Sequence, residues 1–367
     1  MRYKSAILLF IVFTLLSSAI NSSKIKKTGD HEFLFLENKD RATIFSSEEL
    51  KKVLLERKAA QFILGRSLRG RNIEAFFFPG TSNKRALIIG GMHGSELSSI
   101  EVANELLQQL KKGDSIFYNV IIIPSLFPDN AETAKQNFSK IGDVQNIGRY
   151  SYPGAVDPNR QMPTPGQAFD EDNHFDHAGR KIEIENALLL ELINEYRPQR
   201  IVNLHAIRTT ENAGVFADPR TDHNGIALGY ASDSSLAISI AAAIAQQGGY
   251  TPGNHLNKNP TALYYKDPVA VAKGCFQRRN FTGSSLPGKR GGGVSLGTWA
   301  STAVVNETDP AKNRDAIRLI TMEFPGSKRP VDYKKDLQSF YQQQVEIYAE
   351  ALRSVFLGEY FIEEPAS

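Results

Sequence analysis

The strongest constraint on the fold is a repeated alternation of short apolar runs with stretches that are apolar on one helical face. Arg85–Gly91 (RALIIGG) is apolar and ends in two glycines, which suits a buried strand. Ser98–Leu110 then places Ile100, Ala103, Leu106, Leu107 and Leu110 on one face of a helix. Asn119–Pro124 (NVIIIP) is the next buried strand, Glu183–Tyr196 an amphipathic helix and Arg200–Leu204 (RIVNL) a further strand. An Ala-rich helix over Ser234–Gln247, a late strand over Leu319–Phe324 (LITMEF) and a long helix over Leu337–Leu357 close the chain. Ahead of these, Ser46–Glu49 reads as a helix start with Ser as N-cap, the helix running to about Phe62, and Asn72–Phe78 reads as a strand. Strands alternating with helices predict an α/β fold with helices on both faces of a sheet. In such sheets ligands sit at the carboxyl ends of strands, near a switch in strand order.

With 367 residues, 41% of them hydrophobic, the chain can bury a full-sized core. Lys+Arg total 43 and Asp+Glu 40, a balance that gives no footing for nucleic acid. The single cysteine, Cys275, allows no intrachain disulfide and reads as a packing residue rather than a nucleophile. Any metal site therefore has to be built from imidazole and carboxylate. At the N-terminus, Arg2 and Lys4 precede the apolar run Ala6–Leu16, and Ser17–Ala19 follows as a small-residue cleavage site. This reads as a signal peptide over 1–19; the run falls short of the ~20 residues of a membrane span. The expected location is periplasmic or secreted, with no span left after cleavage. A polar leader over 20–45 precedes one catalytic domain over 46–358. Two irregular stretches, Phe127–Asp176 and Asn254–Gly297, have the length of binding loops or lids.

Gly91–Met92–His93–Gly94–Ser95–Glu96 puts a His and a Glu three apart directly after a strand. Both side chains can reach one point there, and the glycines let the backbone crowd it. A second His at another strand end, His205 after Val202–Leu204, completes a His–Glu–His set that leaves a fourth zinc position open for water. Taken singly, the first piece could be a surface turn with Glu favouring a helix N-terminus, and the second a hydrogen-bonded core His. His174 and His177, in an acidic loop, are expected to be solvated. Glu323, near the end of an apolar strand stopped by Pro325, offers the general base; the plainer reading is an edge-strand Glu facing solvent. Asn159 and Arg160 stand side by side as a fork for a carboxylate. Arg149, ten residues before Asn159, is either an oxyanion stabiliser or an ordinary loop arginine.

These pieces in this order resemble the zinc carboxypeptidase family, whose pattern is H-x-x-E, D-x-N-R, a strand-end His and a late T-x-E. Here they read His93–Glu96, Asp157–Asn159–Arg160, His205 and Thr321–Glu323, and the resemblance spans about Ser67 to Pro325. It implies one Zn2+ held by His93, Glu96 and His205, with Asp157 supporting His93 from behind. It further implies Glu323 activating water, and Asn159 and Arg160 holding the terminal carboxylate of a peptide substrate. The fold implied is α/β, with a mixed, mainly parallel eight-stranded sheet. Leu64–Gly65–Arg66–Ser67–Leu68–Arg69–Gly70 looks like the opening segment of murein peptide amidases, and Met322–Pro325 (MEFP) fits that branch. Those enzymes cut the γ-D-glutamyl–diaminopimelate bond, so a murein-peptide substrate is implied. Gln161 stands where the family usually has Asn, and Trp299 occupies the region that carries a substrate-capping Tyr in digestive carboxypeptidases. Tyr264 and Tyr265 lie further back. Desuccinylases and aspartoacylases share three of the motifs, which keeps an N-acyl amino acid deacylase open. A carboxylate-binding protein without turnover is the third alternative.

Overall fold

The computed structural model describes residues 47–359, apart from 114, 144–145, 171, 173, 255, 257–291 and 332–334, together with two strands at 24–28 and 31–36. The signal peptide, Cys275, Tyr264 and Tyr265 lie outside the described residues. The two strands, β1 (Lys24–Thr28) and β2 (His31–Leu36), pair antiparallel within the segment expected as a polar leader.

Helix α1 (Ser47–Glu56) is followed by β3 (Ala60–Arg66) and β4 (Asn72–Phe78). The helix expected to run to about Phe62 therefore stops six residues early. Arg57 turns into the left-handed region at φ 50°, which no continuing helix accepts. Phe62 and Leu64 then point to one side of a strand rather than continuing the helical face of Leu50 and Val53. Next come β5 (Arg85–Ile89), α2 (Leu97–Lys111), β6 (Asn119–Ile123) and α3 (Pro128–Gln136). The chain continues through α4 (Ile184–Tyr196), β7 (Arg200–Ile207), β8 (Gly214–Ala217) and α5 (Tyr230–Gln246). It closes with the short α6 (Leu296–Ala300), β9 (Arg318–Pro325) and α7 (Lys335–Ala351), which runs on into a π turn over Leu352–Phe356.

The strands form one mixed sheet in the order β1-β2-β3-β4-β6-β5-β7-β9-β8. Its four central strands, β6, β5, β7 and β9, run parallel, and β4 and β8 flank them antiparallel. The fold class is the expected one, with nine strands in place of eight. Four of the nine lie where the sequence predicts no strand: β1 and β2 in the expected leader, β3, whose first residues fall in the expected helix, and the four-residue β8, too short to show a period of its own.

The two-residue period of the central strands splits their side chains between two cores. Ala86, Ile88, Val120, Ile122, Val202, Leu204, Ile320 and Met322 meet α2, α5 and α7 on one face. Leu87, Ile89, Ile121, Ile123, Ile201 and Leu319 meet α1, α4 and α6 on the other. Strands buried on both faces explain why these segments read as unbroken apolar runs. From β5 the chain steps to β6 on one side and returns as β7 on the other, so the switch in strand order lies at the carboxyl ends of β5 and β7.

Candidate metal centre

His93 and Glu96 occupy the turn between β5 and α2, and His205 stands near the end of β7. The turn needs its glycines. Gly91 has φ 63°, and a Cβ on Gly94 would come within 2.2 Å of the backbone of Ala131 in α3. His93, Glu96 and His205 each offer a donor atom, all within 4.8 Å of one another, and all three residues are buried. The donors converge through the carboxylate: Glu96 Oε1 lies 2.9 Å from His93 Nδ1, and Glu96 Oε2 lies 2.9 Å from His205 Nδ1. The Ala206 N–H also donates to Oε2, at 3.1 Å. The far nitrogens are held from behind. His93 Nε2 is 2.8 Å from Asp157 Oδ1, and His205 Nε2 is 3.4 Å from Asn159 Nδ2. Two imidazoles and a carboxylate, oriented by outer partners, are the donor chemistry of a catalytic zinc site, so the residues present fit that ion.

Glu323 arrives by sheet register rather than by a turn. On adjacent parallel strands it pairs with His205, and on the other side with Gly214. Along β9 the burial alternates, so Thr321 and Glu323 face the cavity while Met322 and Phe324 enter the core. Arg149 bridges two carboxylates, giving Nη1 to Glu96 Oε1 and Nη2 to Asp157 Oδ2, each at 2.9 Å. Asp157 caps the short turn Pro158–Arg160, accepting the Asn159 N–H at 2.9 Å. The Asn159 amide does more than face a ligand, since its Oδ1 also accepts the Leu296 N–H at 3.0 Å. Arg160 folds Nη1 onto the Asn159 carbonyl, and the Arg160 carbonyl is in turn held by Arg180 Nη2 at 2.9 Å.

The charges act on one another strongly because water is largely excluded. Burial works against a charged His93, but Glu96 and Asp157 outweigh it and raise its pKa to about 9. Burial likewise disfavours charge on Glu96 and Asp157. The two imidazoles hold Glu96 well below the carboxylate range, and His93 with Arg149 does the same for Asp157. Glu323 is shifted upward, chiefly by burial, with Glu96 adding to the rise and the imidazoles opposing it.

A cavity of about 440 Å³ opens over this cluster. His93, Glu96, Arg149, Asn159, Arg160, His205 and Glu323 all line it, while Asp157 stands behind His93. Seven of the eight residues singled out in the sequence thus share one cavity wall.

Sequence reasoning missed Arg208, Asp218 and Ser295, which line the same cavity. Asp218, just past β8, carries the signal that singled out Glu323: an acid at the end of an apolar strand. Its carboxylate lies against Gly297 and within 3.4 Å of Thr321 Oγ1. Trp299 does not cap the site; it is fully buried and gives Nε1–H to the Gln167 carbonyl. Gln161, unusual for its position, is buried and accepts from Glu183 N–H and Asn186 Nδ2, tying the loop to the start of α4. His177, expected to be solvated, lies 3.0 Å from Thr164 Oγ1, and His174 packs against Phe169.

The zinc carboxypeptidase family model matches residues 56–217. The matched stretch holds all three metal-site residues, Arg149 and the Asp157–Arg160 turn. Similar solved structures include the carboxypeptidase A of Helicoverpa armigera, 14% identical, with TM-score 0.45, over 85% of this chain and 74% of that one. The murein-tripeptide amidase MpaA of Escherichia coli O157 is 16% identical, with TM-score 0.40, over 80% and 91%. The metallo-carboxypeptidase of Burkholderia cenocepacia is 14% identical, with TM-score 0.42, over 84% and 70%. A comparison with curated proteins found no match.

Proposed function

We propose that this chain is a zinc peptidase that removes a C-terminal residue by hydrolysing a peptide or amide bond, with γ-D-glutamyl–diaminopimelate of murein peptides as its substrate class. The observation that carries the reading is Glu323 in register with His205, beyond the stretch matched by the family model, facing the cavity that the metal-site residues line. His93, Glu96 and His205 would hold the ion. A zinc ion supplies a Lewis acid that polarises the scissile carbonyl and acidifies water. Glu323 takes the proton of the attacking water and passes it to the leaving nitrogen. Arg149 keeps a second N–H on each Nη beyond those given to Glu96 and Asp157, and we assign those to the developing oxyanion. Arg160, with Asn159, takes the terminal carboxylate of the substrate.

The murein branch is supported by the opening segment. Ser67–Arg71 forms a tight turn after β3, with the Ser67 N–H donating to the Arg71 carbonyl and the Gly70 N–H to that of Ser67. Its Leu68 and Arg69 N–H groups dock on Glu185 and Asp129. The signal-peptide pattern supports a secreted or periplasmic setting, and no helix among the described residues is long and apolar enough to cross a membrane.

The test is hydrolysis by the purified chain of L-Ala-γ-D-Glu-diaminopimelate, an N-succinyl amino acid and an ordinary peptide, with and without a chelator. Chelator-sensitive release of diaminopimelate is expected. Cleavage of the ordinary peptide alone would remove the murein assignment, and cleavage of the N-succinyl compound alone would make the protein a deacylase. Arg160→Ala is expected to raise KM roughly 10–100-fold for substrates with a free terminal carboxylate and far less for their amides, the range of a lost charged hydrogen bond. Equal effects on acid and amide would take Arg160 out of carboxylate binding.

A further inference from the structure

A second cavity, of about 630 Å³, opens at the opposite end of the sheet. The central parallel strands begin there, with Ala86, Arg200 and Arg318 in register. Five residues of strand separate Arg200 from His205, about 16 Å at the usual rise. The wall carries Lys84, Arg197, Arg220, Arg314 and Arg318 against one lining carboxylate, Asp315. Buried Asp233 is shared by Arg220 Nε, at 2.8 Å, and Arg318 Nε, at 3.2 Å. Within this wall the two carboxylates leave three positive charges over; Arg197 and Arg314 also border an adjoining cavity that carries Asp170, Asp172 and Glu195.

The remaining cations are met by neutral groups. Arg314, 9% exposed, lies over the Trp299 ring and gives its Nη groups to the carbonyls of Trp299, Ala300, Thr302 and Asp315. Its Nε–H, also buried, has no hydrogen-bond partner among the described residues. Arg197 donates to the carbonyls of Ala311 and Asn313, and Lys84 stands 5.9 Å from the Phe117 ring. Fully buried Arg200 adds a charge behind the wall, stacked 3.9 Å over Tyr118. Burial and the repulsion of Arg197 together lower the pKa of Arg314 to about 10, the sign of a charge short of a counter-charge. Like charges gathered on a concave wall raise its potential and concentrate anions there.

We propose that this cavity binds a small, multiply charged phosphate-bearing anion, at a site separate from the metal centre. Guanidinium forks match phosphate oxygens, a multiply charged group answers the surplus of three charges, and the volume suits a ligand of sugar-phosphate size. Tyr118, Val304 and Ile317 in the same wall supply apolar surface for the rest of such a ligand. The inference does not rest on the hydrolase reading.

The experiment is calorimetric titration of the zinc-loaded full chain with inorganic pyrophosphate at low ionic strength, repeated with citrate and after chelation. Binding in the range below about 1 mM is expected, weakening as salt rises. Lys84→Ala with Arg197→Asn, the latter chosen because Asn tolerates the left-handed φ of 49° there, is expected to weaken it by at least about tenfold. Zinc content and hydrolysis are expected to stay unchanged in that variant. Should the double variant misfold by circular dichroism, exposed Lys84→Glu alone serves the same comparison. No binding up to ~10 mM, or equal affinity in wild type and variant, would overturn the proposal. So would binding that disappears on chelation, which would put the anion at the metal centre. Citrate binding as tightly as pyrophosphate would overturn the phosphate assignment.

Discussion

Glu323→Gln is expected to leave a folded, zinc-loaded protein whose kcat is lower by roughly 10²–10⁴-fold, the range lost with a positioned general base. The amide keeps the volume of the carboxylate and cannot take a proton, so metal content, measured by elemental analysis, separates a chemical defect from a structural one. A variant that loses zinc in step with activity would make Glu323 a structural support. The pH profile is a second check. Burial raises the pKa of Glu323 above the ordinary carboxylate value, and only its deprotonated form can act as base. The rate of the wild type should therefore fall as pH drops through that raised value, at a higher pH than an exposed carboxylate would give. The residual activity of Glu323→Gln should lack that limb.

His93→Ala and His205→Ala are expected to weaken zinc binding on the order of 10²–10³-fold each, by the share of one ligand in a structural-type zinc affinity. Asp157→Ala, which removes only the partner of His93 Nε2, should cost about 10–100-fold. The ranking carries the argument: ligand variants must fall below the supporting variant in zinc affinity. Full zinc retention by both His variants would place the metal elsewhere. In His93→Ala the carboxylates of Glu96 and Asp157 also lose a buried partner, so a fall in thermal stability should accompany the loss of metal.

The part of the site legible in the sequence is the part built by strand ends. His93, Glu96, His205 and Glu323 each follow an apolar run whose burial on both sheet faces is a local, periodic signal, and the strand order brings those ends together. Asp157, Asn159 and Arg160 were visible as a short motif. The double duty of the Asn159 amide, toward His205 and Leu296, depends on a segment 137 positions away and leaves no local trace. Arg208 and Ser295 escaped for the same reason, being ordinary polar residues until separate segments meet, whereas Asp218 carries a strand-end signal that its four-residue strand makes too short to read. The misread helix end at Glu56 has a local cause. Apolar residues at 62 and 64 continue either a helical or a two-residue pattern until Arg57 is known to turn left-handed.

His205 and Glu323 sit on neighbouring strands, so the backbone ladder sets their spacing at about 4.8 Å. The rim of the cavity, at Gly142, Asn146, Arg208 and Ser295, lies outside the strands. The two parts therefore differ in mutational tolerance. A change in rim length costs only slowly growing loop-closure entropy, whereas a one-residue slip in β9 would turn the base away from the cavity altogether. Variation in what such chains accept can thus accumulate in the rim while the reaction itself stays fixed, and exchanging rim segments between relatives is the direct way to redirect selectivity on an intact centre.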